Sequence, residues 1–152
     1  VDQLSILLME HLMRITQEGD YALRVVLYLC RLDAGTKIEA KIIADHERIP
    51  LRFLLKLLRK LSIAGIVQSY RGVGGGYALN KEPRQITLKD VIEAIEGPIY
   101  VNRCFYDSAF CSLNRTNTCD VHWALAKVQD RLLADLDGIN FEMILQRNNP
   151  FD

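Results

Sequence analysis

With 152 residues, 49% hydrophobic and 25% charged, the chain has an ordinary globular composition, enough for one packed domain or a small domain with a dimerisation element. No apolar run approaches the ~18 residues of a membrane span, and the apolar stretch 4–9 lacks the basic leader and small-residue cleavage site of a secretory signal, so the expected compartment is the cytoplasm. The zero net charge hides an asymmetry: residues 13–85 carry 13 Lys and Arg against 7 Asp and Glu, while residues 86–152 carry 6 against 10, which assigns a polyanion partner to the first half alone.

Residues 1–12 fit poorly with the rest of the chain, and Met13 reads as the natural start. Met9-Glu10 would be encoded with a purine-rich GGA run shortly before the Met13 codon, as a ribosome-binding site would be if translated. A genuine N-terminal helical extension is the alternative. Residues 16–32 read as a helix capped by Thr16, with Ala22, Val25, Val26, Leu29 and Cys30 at helical spacing. Cys30 lies on that apolar stripe and reads as a small buried residue, not a ligand. After the turn at Asp33-Ala-Gly-Thr36, residues 39–47 form a short helix with Ile42, Ile43 and Ala44 inward. Pro50 opens the next helix at its first position, and Gly65 stops it. Strands are expected at 66–70 and 77–80, flanking the glycine-rich tip Arg71-Gly-Val-Gly-Gly-Gly76. Thr87 caps a helix with Leu88, Val91, Ile92 and Ile95 inward. A long helix is expected at 118–136, then a short one at 141–146.

The second helix of the turn-linked pair holds Arg52, Lys56, Arg59 and Lys60, with Arg48 just before it, and no acid occurs from Arg48 to Lys81. Steps of three and four place these cations on one face, with Leu51, Leu54, Leu55, Leu57, Leu58 and Leu61 as the buried remainder. Such a helix can lie in a major groove, with Arg52 and Lys56 near its N-terminus reaching base edges or phosphates. A solvated basic face is the plain alternative. The hairpin favours nucleic acid: Arg71, with Tyr70 beside it, can enter a minor groove while Gly72 and Gly74 let backbone approach phosphate. A nucleotide-binding glycine loop would need a helix after the tip, where a strand is expected. Helix, turn, basic helix and two-stranded wing is the order of a winged helix-turn-helix.

Met13-Arg-Ile-Thr16 with Tyr21-Ala22, Leu61-Ser-Ile-Ala-Gly65-Ile-Val, Arg71-Gly-Val-Gly-Gly-Gly-Tyr77 and Leu88-Lys-Asp-Val-Ile-Glu-Ala-Ile95 resemble the bacterial regulators that include IscR (iron–sulfur cluster regulator) and NsrR (nitric-oxide sensor). The resemblance spans residues 13–146. It implies a homodimeric winged-helix transcription factor, with Arg71 as the wing arginine and Tyr21, Arg52, Phe53 and Lys56 near DNA. Leu55 departs from IscR, which has an acidic residue there. Val121, Leu125, Val128, Leu132 and Leu136 follow an a/d-type seam. Packing onto the chain's own core would also explain this stripe; the resemblance favours a dimer helix, which would present two recognition helices to a pseudo-palindromic operator with half-sites ~34 Å apart.

Cys104, Cys111, Cys119 and His122 fall within one loop-like stretch after Gly97-Pro98. Thiolates and imidazole are ligands for iron, zinc and iron–sulfur clusters, and in a reducing compartment clustered cysteines bind metal more often than they pair as disulfides. The spacing Cys-x6-Cys-x7-Cys-x2-His lacks the tight knuckle of structural zinc sites, although zinc stays open. The resemblance implies that these four residues hold a 2Fe–2S cluster. It also implies an alternative, a 4Fe–4S cluster with Asp20 of the partner subunit as the fourth ligand, as in NsrR-like proteins. His122 and Asp20 also have plain readings, as an exposed histidine and a helix N-terminal acid.

The expected fold is mainly α with a small β-hairpin wing: a possibly non-native extension at 1–12, a winged helix-turn-helix domain at 13–97, a cluster loop at 98–119, a dimerisation helix at 118–137 and a C-terminal short helix and tail at 138–152. The expected function is a homodimeric DNA-binding repressor of iron–sulfur biogenesis genes that senses cluster status, with a nitric-oxide-responsive repressor as the runner-up. A metal-carrying or electron-transfer module would leave the basic helix and wing unexplained. An enzyme lacks a nucleophile–base pair.

Overall fold

In the computed structural model, residues 14–147 and 151 are described; the extension expected at 1–12 lies outside them. Thr16 is extended and its hydroxyl accepts the Gly19 N–H at 3.1 Å, starting helix α1, Gln17–Cys30. The stripe of Ala22, Val25, Val26, Leu29 and Cys30 is buried as its spacing requires. The helix stops two residues short of the expected end, where a turn closes with Thr36 N–H on the Asp33 carbonyl.

Helix α2, Ala40–Glu47, ends on Arg48 in the left-handed conformation, and α3, Leu51–Ile63, begins three residues later. Pro50 stands at the N-cap of α3, one step before the expected first position. Three inward assignments are corrected. Ile42 is 51% exposed, because only Ile43 and Ala44 of that run face the core. Leu51 and Leu55 are 42% and 43% exposed. The core takes Leu54, Leu57, Leu58 and Leu61, the i, i+3, i+4, i+7 face of α3, and the other two fall outside that arc. Each of the four stabilises the fold by about 1.5–3 kcal/mol.

Strands β1, Val67–Tyr70, and β2, Gly76–Leu79, pair antiparallel with Val67 opposite Leu79 and Tyr70 opposite Gly76. Each begins one residue away from the expected start, since Ile66 serves instead as a buried residue whose carbonyl accepts Asn80 N–H. Ile38 pairs with Tyr77 on the outer side of β2, tying the hairpin to the segment before α2. Thr87 and Asp90 form a reciprocal capping box at the start of α4, Leu88–Glu96.

Residues 98–119 hold three short 3-10 turns, Arg103–Phe105, Ser108–Phe110 and Thr116–Thr118. The long helix α5, Asp120–Gly138, starts with Cys119 as N-cap and ends two residues beyond the expected limit. Backbone bonds from Leu88 N–H to Ile139 and from Phe141 N–H to Ile86 then dock α6, Phe141–Leu145, on the first half, burying Phe141. Helix α5 gives little to this core. Its Val121, Val128 and Leu132 are 64%, 54% and 37% exposed, so the chain's own core does not cover the apolar seam.

Candidate nucleic-acid interface and cysteine loop

Arg52, Lys56 and Arg59 are exposed along one face of α3, successive turns apart, with Leu55 between them. Phe53 is 40% exposed on the flank, its ring 5.9 Å from Lys56 Nζ. It also lines a cleft of about 860 Å³ with Ile92, Ile95, Val128 and Leu132, so it faces the long helix. Lys60 leaves the basic face: its ammonium bonds Glu18 at 2.9 Å and the Ile95 carbonyl at 3.3 Å, joining α3 to α1 and α4. Tyr21 is half-buried, its hydroxyl accepting from Gln17 Nε2 at 2.9 Å and its ring lying 5.4 Å from the Arg24 guanidinium.

The wing tip is built from glycine for reasons visible at each position. Gly72 and Gly74 have φ of 86° and 73°, and a Cβ at Gly75 would meet the Tyr70 and Gly72 carbonyls. This puts exposed Arg71 at the base of a tight loop whose backbone is bare at Gly72 and Gly74, with Val73 projecting between them. Tyr70 is half-buried, and Lys37 Nζ stands 4.2 Å from its ring centroid. Lys37 therefore adds a cation to the wing that the sequence pattern did not single out. Its only signal was being next to Ile38, whose bridge to Tyr77 is invisible without the fold.

In the cysteine loop, Cys104 Sγ lies 3.1 Å from His122 Nδ1, and the His122 ring stacks on Phe105 with centroids 4.3 Å apart. Cys119 Sγ accepts the His122 N–H at 3.4 Å as the cap of α5. Cys111 Sγ accepts the Arg115 N–H at 3.5 Å, and its thiol pKa is lowered chiefly by backbone N–H groups, that of Arg115 first. All three thiols are free and partly exposed. The structure thus brings Cys104 and His122 together and sets Cys119 one turn away. Among the described residues no three potential ligands converge, so gathering Cys111 and Cys119 to the Cys104–His122 pair needs movement of the loop. Soft, unpaired thiols beside an imidazole fit an iron–sulfur cluster in donor chemistry. Asp20, 62% exposed in the first turn of α1, is 3.8 Å from Arg24, which also pairs with Glu47 at 3.3 Å.

Gln129 carries no signal in the sequence. It is the one buried polar side chain among the described residues. Its Nε2 donates to the Ile99 carbonyl at 2.6 Å and its Oε1 accepts the Val101 N–H at 2.7 Å. The cysteine loop is therefore fastened to α5 at both ends, by Gln129 before Cys104 and by Cys119 itself.

A turn-linked helix pair with a cationic second member, followed by a two-stranded wing, defines a winged helix-turn-helix regulator of transcription. Residues 15–147 match the Rrf2 family of iron-dependent transcriptional regulators, and the chain belongs to that family. An rrf2-like HTH-type transcriptional regulator of Rhodobacter capsulatus is 33% identical over 142 residues, covering 90% of this chain and 95% of that one. Among solved structures, CymR (YrzC), the global cysteine regulator of B. subtilis, is 29% identical with a TM-score of 0.68, covering 89% of this chain and 98% of that one. T. potens IscR is 26% identical with a TM-score of 0.65, covering 89% and 88%. The chain is thus a regulator and not an enzyme, and its partners are operator DNA and a second copy. Among the described residues no helix is long and apolar enough to cross a membrane.

Proposed function

We propose that this chain is a cytoplasmic repressor that senses iron–sulfur cluster status through Cys104, Cys111, Cys119 and His122 and controls iron–sulfur biogenesis genes. The observation that carries this reading is the 3.1 Å approach of Cys104 Sγ to His122 Nδ1, across 18 residues of chain. The iron-dependent character of the family and the likeness to an IscR support it. These four side chains would hold a 2Fe–2S cluster, which supplies a group sensitive to iron supply and oxidants. Cys119 is both a proposed ligand and the cap of α5, and Gln129 fixes the other end of the loop to the same helix. A change in loop conformation therefore acts on α5, whose seam of exposed Val121, Val128 and Leu132 and half-buried Leu125 and Leu136 would set the spacing of two recognition helices. Such coupling works only to the extent that the two loop states differ in free energy between the two dimer arrangements. On the DNA side, Arg52, Lys56 and Arg59 would enter the major groove, and Arg71, with Tyr70 beside it, would enter the adjacent minor groove while Gly72 and Gly74 let backbone approach phosphate, with Tyr21 and Phe53 at the margin.

A second reading rests on Asp20. Its carboxylate is 62% exposed and only loosely paired, so it is free to reach a partner's loop and complete a 4Fe–4S site in a nitric-oxide-responsive repressor. Affinity for a duplex selected from a randomised pool, measured on metal-free and anaerobically reconstituted protein, tests the sensing reading. The two forms should differ, and equal affinities would end it.

A further inference from the structure

Leu55 is 43% exposed at the edge of a cationic surface. It lies one turn after Arg52, one turn before Arg59 and next to Lys56, all exposed. It adds little to the core, which the fully buried Leu54, Leu57, Leu58 and Leu61 fill from the other side of α3. Of the other exposed apolar residues of the helix, Phe53 lines the cleft toward Leu132, Leu51 is the first residue of the helix, one turn before Leu55 on the same side, and Ile63 is at the C-terminal end, away from the part of a recognition helix that enters a groove.

A major-groove floor offers hydrogen-bonding atoms at every base pair and one apolar group, the C5-methyl of thymine. A leucine pressed against cytosine N4 or adenine N6 would strip water from a donor and give it no partner, which is costly. Against a methyl the same leucine buries apolar surface on both sides. We propose that Leu55 is a specificity-determining residue that packs on the C5-methyl group of a thymine in each half-site. The proposal rests on α3 being the helix that faces the duplex.

The test uses the full-length protein and a duplex selected from a randomised pool, with each thymine replaced in turn by deoxyuridine, which removes only the methyl. Wild-type protein should lose about fourfold in affinity at one thymine per half-site, the worth of one buried methyl group. Leu55→Ala should bind the parent duplex more weakly, keep its salt dependence, and show no further loss at that thymine. A wild type indifferent to every deoxyuridine, or an L55A protein that keeps the same sensitivity, would overturn the assignment. Arg52→Ala and Lys56→Ala separate this failure from a deeper one. If both leave affinity and salt slope unchanged, α3 does not face the duplex, and the reading beneath the proposal falls with it.

Discussion

Gln129 and Val101 are joined by a 2.7 Å hydrogen bond that fastens the root of the cysteine loop to the long helix, and the same side chain holds the Ile99 carbonyl at 2.6 Å. Gln129→Leu keeps the apolar bulk and removes both bonds, leaving two backbone groups unpaired. It should cost about 2 kcal/mol in urea unfolding and speed hydrogen exchange at the Val101 amide. Gln129→Glu keeps the acceptor for Val101 and loses the donor to Ile99, so its exchange at Val101 should stay closer to wild type. Unchanged exchange in Q129L would show that the loop root is held by something else.

Glu96 performs a similar task for α1. Its Oε1 accepts both the Thr16 N–H at 2.7 Å and the Thr16 hydroxyl at 2.6 Å, and a Cβ at Gly19 would strike the same carboxylate. These bonds are exposed, so Glu96→Ala should cost only about 1 kcal/mol, and Glu96→Gln less, since an amide oxygen still accepts. Gly19→Ala should destabilise in the wild type and less so when combined with E96A, as a thermal-denaturation double-mutant cycle would reveal.

Cys30 and the loop cysteines should react differently. Burial pushes the Cys30 thiol from its ordinary 9.0 up to about 12, whereas the loop thiols are partly exposed. At pH 8, iodoacetamide should label three cysteines in metal-free folded protein and four in urea, as mass spectrometry would count. The folded thiol keeps its proton where the unfolded one releases it. Its contribution to stability is therefore full below pH 9 and declines as pH rises from 9 toward 12. Cys30→Ala should flatten that part of the stability–pH curve.

Arg71 stands at the root of a tip in which Gly72 and Gly74 take positive φ and Gly75 has no room for a Cβ. Arg71→Ala should weaken operator binding by about 5- to 100-fold and reduce the slope of log affinity against log salt by about one, with no change in melting temperature. Lys37→Ala should show a smaller loss of the same kind. Affinity and slope both unchanged in R71A would remove the wing from the interface.

Much of this architecture was legible because local periodicity and global packing agree. Thr16, Thr87 and Gly65 mark helix ends by capping chemistry, and the leucines of α3 show one clear face. What periodicity could not show was where that face ends: Leu51 and Leu55 carry the same letters as their buried neighbours and differ only by angle. Lys60 looks like its basic neighbours until Glu18, 42 residues away, draws it off the face. Phe141, Lys37 and Gln129 gave no pattern at all, since each is placed by a long-range backbone contact. In the loop, spacing named four candidate ligands, but the proximity of Cys104 to His122 depends on the path of three 3-10 turns.

The central claim, a cluster on Cys104, Cys111, Cys119 and His122, is tested most directly by anaerobic assay of iron and acid-labile sulfide with an absorption spectrum on the same sample. The account predicts about two of each per chain, lost in His122→Ala and kept in Asp20→Ala. About four of each, kept in H122A and lost in D20A, would favour the nitric-oxide-responsive reading. Stoichiometric zinc, or no metal after reconstitution, would contradict the account and leave a winged-helix regulator with another signal.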